Sequence, residues 1–311
     1  MAKTNASNSL LALSQSLAEA IERVSPAIVA VDARPRVPTS GVIWRDGVVV
    51  STNHTVRRDE EITVTLANGR RLPATLAGRD AGTDIAVLRI ETSGASVDAI
   101  STTDELRVGN LVLAAGRIYV ERGVSASLGI VSALGGAWRT WRGGEIDRLI
   151  RPDVSVFIGF SGGALVDAEG QVVGINTTGL ARGTGLTIPS STINRVVDAL
   201  LQHGRIARPY LGVGMQPVAL PDELRSKFNL PGTGALVMLS VEPEGPAGQV
   251  GITLGDVLVA IDGTPVTDTD EVQAVLSASK VGQTISATIL RGGERRDVEV
   301  TLGERPNAKG K

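Results

Sequence analysis

The sequence contains no cysteine, and this absence excludes several kinds of site. Without thiols the chain cannot form disulfides, use a cysteine nucleophile, or hold an iron–sulfur cluster or a thiolate zinc site. Histidine is almost as scarce, because His54 and His203 are the only two in 311 residues, and no His-Glu-x-x-His motif is present. We therefore expect no metal site and no cofactor, and any reaction that needs an imidazole base has two candidates.

The chain also lacks an excess of charge of either sign, since 31 basic and 33 acidic residues leave a formal net charge of −2. Such a balance creates no field that would attract nucleic acid or an anionic membrane surface. One loop, residues 135–145, places Trp138 and Trp141 beside arginines, and this combination can stack on bases. A single short loop in a mildly acidic chain is more typical of a surface or regulatory segment, so we expect no nucleic-acid partner.

Long hydrophobic runs are missing as well. Residues 1–26 carry leucines, Ile21 and Val24 mostly three or four positions apart, which predicts an amphipathic helix. Polar residues interrupt this segment too often for a signal-peptide core or a membrane span. The sequence as written therefore predicts no membrane span and a cytoplasmic location, or an extracytoplasmic one if a leader has been removed.

What the sequence does contain is 42% hydrophobic residues and 37 glycines, which together favour β structure with many turns. Short apolar runs separated by turn residues predict antiparallel strands in a barrel or sandwich. A helix is expected at residues 190–201, capped by Ser190 or Ser191 and ending near Gly204. The strands are expected at residues 27–31, 41–44, 47–52, 62–66, 71–76, 85–90, 111–115, 124–131 and 185–189.

The length and the restart of the strand pattern at Tyr210 predict two domains. The second is expected to combine several strands with a helix at residues 269–278. The predicted boundaries are a helical segment at 1–26, a first domain at 27–203, a linker at 204–209, a second domain at 210–303 and a flexible tail at 304–311.

A serine followed by two glycines, Ser161-Gly162-Gly163, stands between two apolar, strand-like segments. Glycine permits the positive φ angles of a sharp loop, which would expose the serine hydroxyl and direct backbone N–H groups at a ligand. This is the pattern of a nucleophile beside an oxyanion hole. An ordinary tight turn explains the segment from Gly159 to Leu165 equally well.

The order of three residues favours the catalytic interpretation. His54 follows a predicted strand, Asp84 precedes the next strand 30 residues later, and Ser161 lies a further 77 residues along the chain. This His, Asp, Ser order is that of chymotrypsin-type enzymes and not of α/β-hydrolases or subtilisins. Asp80 and Asp153 are rival carboxylates, but Asp84 directly abuts its strand.

Several ordered motifs resemble those of the HtrA (Deg) family of trypsin-like serine proteases with a C-terminal PDZ domain, over roughly residues 27–303. The histidine block has one residue fewer than the family's. The matching motifs are Thr52-Asn53-His54-Thr55-Val56, Gly82-Thr83-Asp84-Ile85-Ala86-Val87-Leu88, Ser161-Gly162-Gly163-Ala164-Leu165 and Tyr210-Leu211-Gly212-Val213.

The resemblance implies a mainly β chain, with a chymotrypsin-like double β-barrel followed by a PDZ domain, a small α+β barrel. It implies a serine endopeptidase acting on unfolded or damaged proteins. On the matching positions, His54 would be the general base, Asp84 its orienting carboxylate and Ser161 the nucleophile. The N–H groups of Gly159 and Ser161 would form the oxyanion hole.

The resemblance also implies two peptide sites. A pocket for the residue before the cut offers no fixed charge, so we expect small or aliphatic side chains there. The loop before the first long strand of the PDZ domain would bind peptide C-termini, and a helix would close the groove, although core packing explains that helix equally well. The pocket residues are Phe157, Ile175, Asn176 and Thr177, and the groove residues are Tyr210, Leu211, Gly212, Val213, Val272, Val275 and Leu276.

Three departures from the family pattern stand out. Phe160 replaces the asparagine before the nucleophile, and Phe157-Ile158 replace an Asn-Pro pair. Family members often trimerise through N-terminal aromatics, yet no aromatic residue precedes Trp44 in this chain. The departure at Phe160 leaves a second hypothesis open, a latent or inactive protease acting as a chaperone-like, peptide-binding protein.

Overall fold

The computed structural model describes residues 2–91, 100–118, 123–181, 185–230 and 233–305. It divides into two units, Met1–Ile206 and Ala207–Lys311. None of the helices in the described part of the chain is both long and apolar enough to cross a bilayer.

The first unit begins with the predicted amphipathic helix, α1, at Ala2–Val24, followed by a 3-10 turn. Ala20 and Val24 are buried, whereas Leu10 and Leu11 are exposed. The second half of the helix therefore packs on the protein, whereas Leu10 and Leu11 lie in solvent.

Six antiparallel strands form a closed barrel in the order β1-β2-β3-β6-β5-β4. These segments are rich in β-branched residues, which favour strands, and the runs expected from the sequence all form strands here. Strands β4 and β5 alternate between buried and more exposed residues, whereas β1, β2, β3 and β6 are buried along almost their whole length. The strands are β1 Ile28–Asp32, β2 Thr39–Arg45, β3 Val48–Thr52, β4 Ile62–Thr65, β5 Arg71–Asp80 and β6 Ile85–Ile90.

A second closed barrel has the order β11-β14-β13-β12-β7-β8. The loop expected at residues 135–145 contains a short hairpin, β9–β10. The Thr140 hydroxyl donates to the Gly82 carbonyl at 2.8 Å and links this loop to the first barrel. The strands are β7 Leu111–Gly116, β8 Ser125–Gly135, β9 Trp138–Arg139, β10 Glu145–Ile146, β11 Leu149–Asp153, β12 Ala164–Asp167, β13 Val172–Thr177 and β14 Leu186–Pro189.

The two barrels share one apolar core, to which Val50 and Ile85 contribute from the first and Ile175 and Ile188 from the second. Fully buried aliphatic side chains of this kind each stabilise the fold by about 1.5–3 kcal/mol. Apolar packing therefore holds the two barrels together.

Helix α2, Ser190–His203, packs its apolar face on this core and ends at Gly204, whose φ of 71° is the predicted left-handed cap. The predicted serine cap is wrong. Pro189 occupies the N-cap without a side-chain hydrogen bond, and the Ser190 hydroxyl donates to Asp104 instead. His203 lies in the last turn of the helix, as a polar residue at a helix end.

The second unit is a twisted sheet in the order β16-β17-β18-β20-β21, with β16 at one edge. Helix α5 has the predicted bounds, because Asp268 and Glu271 form a capping box at its start. The elements are β15 Pro209–Tyr210, β16 Val213–Ala219, α3 Asp222–Phe228, β17 Gly234–Val241, α4 Pro246–Gln249, β18 Val257–Ile261, β19 Thr264–Pro265, α5 Thr269–Ala278, β20 Thr284–Arg291, β21 Glu294–Thr301 and β22 Gly303–Glu304.

Candidate active site

Strand pairing brings the predicted histidine and aspartate together. β3 and β6 pair so that Thr52 lies opposite Ile85, which places His54, just after β3, beside Asp84, just before β6. His54 Nδ1 lies 2.7 Å from Asp84 Oδ2, and the His54 N–H donates to Asp84 Oδ1 at 2.9 Å. A proton on Nδ1 is shared with the carboxylate, which leaves the Nε2 lone pair available as a base.

Asp84 is buried and receives a third donor, the hydroxyl of Thr177. The Gly179 N–H donates to the same hydroxyl oxygen at 2.9 Å, so the Thr177 proton points at the carboxylate. Asp84 also has a φ of 60°, unusual for a residue other than glycine and a form of strain that clusters at functional sites. Three donors fix the carboxylate that orients the histidine.

The loop that contains Ser161 presents two unpaired N–H groups. Gly159 and Gly162 have φ angles of 89° and 90°, as expected for this loop. The Phe160 carbonyl accepts from the Gly163 N–H at 2.8 Å. Across the described residues, the N–H groups of Gly159 and Ser161 donate to no protein acceptor. Donors left unpaired at a site where Ser161 is only 6% exposed are available to a ligand oxygen.

Three consecutive residues connect the serine to the histidine and aspartate. Thr177 and Gly179 contact the His54–Asp84 pair, and between them Thr178 Oγ1 lies 3.2 Å from Ser161 Oγ. Within the part of the chain that the structure describes, no hydrogen bond joins Ser161 to His54. The serine hydroxyl is thus bonded to Thr178 in this structure.

Comparisons with known proteins identify both units of this chain. A trypsin-like peptidase domain matches residues 39–175, and a PDZ domain matches residues 209–302. A solved serine endoprotease from Yersinia pestis is 31% identical, with a TM-score of 0.73 over 93% of this chain and 98% of that one. A solved HtrA-type protease with a decapeptide is 30% identical, with a TM-score of 0.71 over 93% of this chain and 99% of that one.

The chain belongs to the HtrA family of serine proteases. A curated relative from Brucella suis, named as a probable periplasmic serine endoprotease, DegP-like, is 36% identical over 286 residues. The match covers 89% of this chain and 55% of that protein, so the chain spans about half the length of the curated relatives it matches. The predicted fold, a double β-barrel followed by a PDZ domain, is confirmed.

The rival carboxylates of this HtrA chain have other surroundings. Asp80 is buried in a tight turn, where it accepts from the N–H groups of Gly82 and Thr83 and from the Thr83 hydroxyl. Asp153 is exposed at the end of β11. Of the three candidates, Asp84 contacts the His54 ring.

Phe160, the departure beside Ser161, is a core side chain of the second barrel. It is 1% exposed, packs in a cluster with Leu165 and Val173, and meets Phe157 edge to face at 5.2 Å. The backbone at Phe160 still adopts a turn, because its N–H donates to the Phe157 carbonyl at 2.9 Å. The aromatic ring thus anchors the loop that contains Ser161 in the core of the second barrel.

The residues expected to line the specificity pocket have side chains with other contacts. Ile175 packs in the shared core, Asn176 donates to the Ala164 carbonyl at 2.7 Å, and Thr177 binds Asp84. Phe157 remains half exposed beside the loop. This part of the site stays a prediction. The contacts of Thr177 and Gly179 with the His54–Asp84 pair were not predicted, and the only local signal for them is a pair of threonines followed by glycine at a strand end.

In the PDZ unit of this HtrA chain, the loop at Tyr210-Leu211-Gly212-Val213 leads into the edge strand β16. Gly212 has a φ of 80°, and the N–H groups of Leu211 and Gly212 have no acceptor among the described residues. Burial, and after it the neighbouring Glu242 carboxylate, raises the pKa of Tyr210 to about 12. The tyrosine therefore remains neutral beside the free N–H groups.

Helix α5 lies along the same edge, where it contacts β15 and β16. Val272 and Leu276 are buried in the core of the unit, and Val275 is partly buried. Core packing thus accounts for most of the surface of the first two side chains, while Val275 remains partly open.

Among the described residues, no three His, Asp or Glu side chains gather in a way that could hold a metal ion.

Proposed function

We propose that this chain is a serine endopeptidase that cleaves unfolded or damaged proteins, with Ser161 as nucleophile, His54 as general base and Asp84 as its orienting carboxylate. One observation carries the proposal. The hydrogen-bonded His54–Asp84 pair is joined through residues 177–179 to a serine whose loop holds two unpaired N–H groups. This arrangement combines a base, a nucleophile and an oxyanion hole.

In acylation, Ser161 Oγ attacks the carbonyl carbon of the scissile peptide and its proton passes to His54 Nε2. Asp84 stabilises the imidazolium, and the N–H groups of Gly159 and Ser161 bind the oxyanion. The C–N bond then breaks, the amine takes the proton from His54, and an ester remains on Ser161. Water, deprotonated by His54, hydrolyses the ester, and the proton returns to Ser161.

A second candidate, a latent protease that binds peptides without turnover, is favoured by the bond between Ser161 and Thr178. Since no hydrogen bond joins Ser161 to His54 among the described residues, the Ser161 hydroxyl has to turn toward His54 before the imidazole can take its proton. The two candidates make opposite predictions once a C-terminal peptide occupies the PDZ domain. Turnover supports the endopeptidase, whereas suppressed aggregation of an unfolded protein without cleavage supports the latent form.

For the residue before the cut we propose small or aliphatic side chains. Supporting this, the neighbour of Phe157 in the chain is the apolar Val156, whose Cγ2 lies 2.7 Å from the position that a Cβ on Gly185 would take. None of the four predicted pocket residues, Phe157, Ile175, Asn176 and Thr177, carries a charge. A cleavage-site profile of digested casein dominated by lysine or arginine would overturn this preference.

For the PDZ unit we propose binding of peptide C-termini to the free N–H groups of Leu211 and Gly212. The peptide would add as a strand beside β16. Fluorescence anisotropy with one hydrophobic peptide, tested with a free carboxylate and as its amide, measures this. Equal affinity for the two forms contradicts carboxylate recognition.

The endopeptidase is tested by incubating wild type, S161A and H54A with unfolded casein, with and without a hydrophobic C-terminal peptide. We expect cleavage by wild type alone, and native circular dichroism for all three proteins. Casein that stays intact with wild type under every condition contradicts the proposal. A location outside the cytoplasm is a proposal from the relatives named as periplasmic, and cell fractionation tests it. A trimeric assembly is a proposal that rests on the family resemblance alone, and light scattering tests it.

A further inference from the structure

Two neighbouring residues at the start of β2 reach from the first barrel to the serine loop of the second. Thr39 Oγ1 donates to the Ser161 carbonyl at 2.6 Å. Ser40 donates twice to the Gly159 carbonyl, from its N–H at 3.0 Å and from its hydroxyl at 2.7 Å. Both side chains are completely buried. The two carbonyls belong to the same residues whose N–H groups are unpaired.

The direction of the Ser40 hydroxyl is set by a third residue. The Arg117 N–H donates to Ser40 Oγ at 2.9 Å, so this oxygen already serves as an acceptor, and its proton is left for the Gly159 carbonyl. Arg117 is itself fixed, because its guanidinium donates to the Ile28 carbonyl at 2.7 Å. The hydrogen bond to Gly159 therefore comes from a preorganised donor.

These bonds restrict two peptide groups, the one between Gly159 and Phe160 and the one between Ser161 and Gly162. The two groups lie on either side of the peptide that carries the Ser161 N–H, and the first also follows the Gly159 N–H directly. The peptide between Gly159 and Phe160 is held at its carbonyl by Ser40 and at its N–H by the Phe157 carbonyl. The carbonyl of Ser161 is held by Thr39. A peptide group that is fixed at its oxygen cannot rotate without breaking that bond.

We propose that Thr39 and Ser40 are positioning residues of the oxyanion hole, which hold the N–H groups of Gly159 and Ser161 in their binding direction before substrate arrives. This inference rests on the proposed endopeptidase function. Donors aligned in advance need no reorganisation when the oxyanion forms, and this is the main source of their catalytic effect. Thr39 and Ser40 themselves touch no reacting atom.

The test is Thr39→Val, which keeps the shape of the side chain and removes the hydroxyl, measured on a quenched casein peptide. We expect kcat to fall by about tenfold, less than for loss of an oxyanion donor itself, and KM to stay within about twofold. Thr39→Ser keeps the hydroxyl and should restore most of the rate. If Thr39 served stability alone, then T39V, T39S and wild type would have the same kcat at a temperature where all three are folded.

The matched control is Thr192→Val, which removes another completely buried threonine hydroxyl, bonded to the Asp147 N–H at 2.9 Å in the same unit. If T39V does not fold, Ser40→Ala provides the same test through Gly159. A T39V kcat equal to that of T192V, or a T39S kcat as low as that of T39V, overturns the positioning role but leaves the proposed endopeptidase activity standing. If wild type neither cleaves the peptide nor reacts with a fluorophosphonate, the endopeptidase itself fails and the positioning role fails with it.

Discussion

Gly179 lies directly against the His54–Asp84 pair, and a single methyl group there tests whether that pair sets the rate. A Cβ at this position would lie 2.6 Å from Asp84 Oδ2 and 2.7 Å from His54 Nδ1, which falls short of the 3.4 Å of ordinary contact by 0.8 and 0.7 Å. The φ angle of Gly179 is not in the left-handed region, so alanine adds no backbone strain. The ring and the carboxylate must therefore move apart from the new methyl group.

A displacement approaching 1 Å in a catalytic group can cost about 10²-fold in rate. We therefore expect Gly179→Ala to lower kcat/KM for a quenched casein peptide by about 10²-fold, mainly through kcat. The assay compares initial rates, with circular dichroism to show that the variant is folded.

Gly136→Ala is the control, because a Cβ there meets nothing within 4 Å and its φ is also outside the left-handed region. It should keep the wild-type rate. A G179A enzyme as fast as G136A would refute the view that this close contact holds the catalytic pair in place.

Three further perturbations have defined outcomes. Phe160→Ala should lower the free energy of unfolding by about 3–5 kcal/mol, measured by urea unfolding, because it empties a fully buried site. Burial alone would raise the pKa of Asp256, but hydrogen bonds from Arg291 and Thr253 outweigh it and lower the pKa. Asp256→Asn should therefore cost about 2–3 kcal/mol near pH 7, since 33% of the Arg291 side chain is exposed. The pKa of Asp256 in the folded state lies below its unfolded value of about 4. The stabilisation by the Asp256 carboxylate is therefore fully present above about pH 4 and is lost as the pH falls through the folded-state pKa. If the difference in unfolding free energy between wild type and D256N does not narrow below about pH 4, the assignment is contradicted. Gly212→Ala should weaken binding of a free-carboxylate peptide by about tenfold in fluorescence anisotropy, because its φ is 80° and the new Cβ would lie 3.1 Å from Gly245 Cα.

Much of the fold could be predicted because its signals are local. The barrel strands follow from short apolar runs with turn residues between them, and α5 follows from a capping box that is visible in the sequence. Helix α3 was not predicted, since it has only seven residues and none of them is buried. The β9–β10 hairpin was missed for a similar reason, because its strands have two residues each.

The candidate site divides in the same way. The order of His54, Asp84 and Ser161 and their flanking segments can be read directly from the sequence, and the structure brings the first two residues into contact. The contacts of Thr177 and Thr39 depend on how distant strands meet, 93 residues apart for Thr177 and Asp84 and 122 for Thr39 and Ser161. No local pattern encodes hydrogen bonds over such separations.

The central claim is that Ser161 is a nucleophile activated by His54, and a fluorophosphonate probe tests it most directly. The adduct is mapped by mass spectrometry on wild type, S161A and H54A, with and without a hydrophobic C-terminal peptide. We predict phosphonylation of wild type at Ser161, none of S161A, and labelling of H54A slower by at least about 10²-fold. Wild type that stays unlabelled in both conditions, or S161A labelled as fast as wild type, would contradict the account.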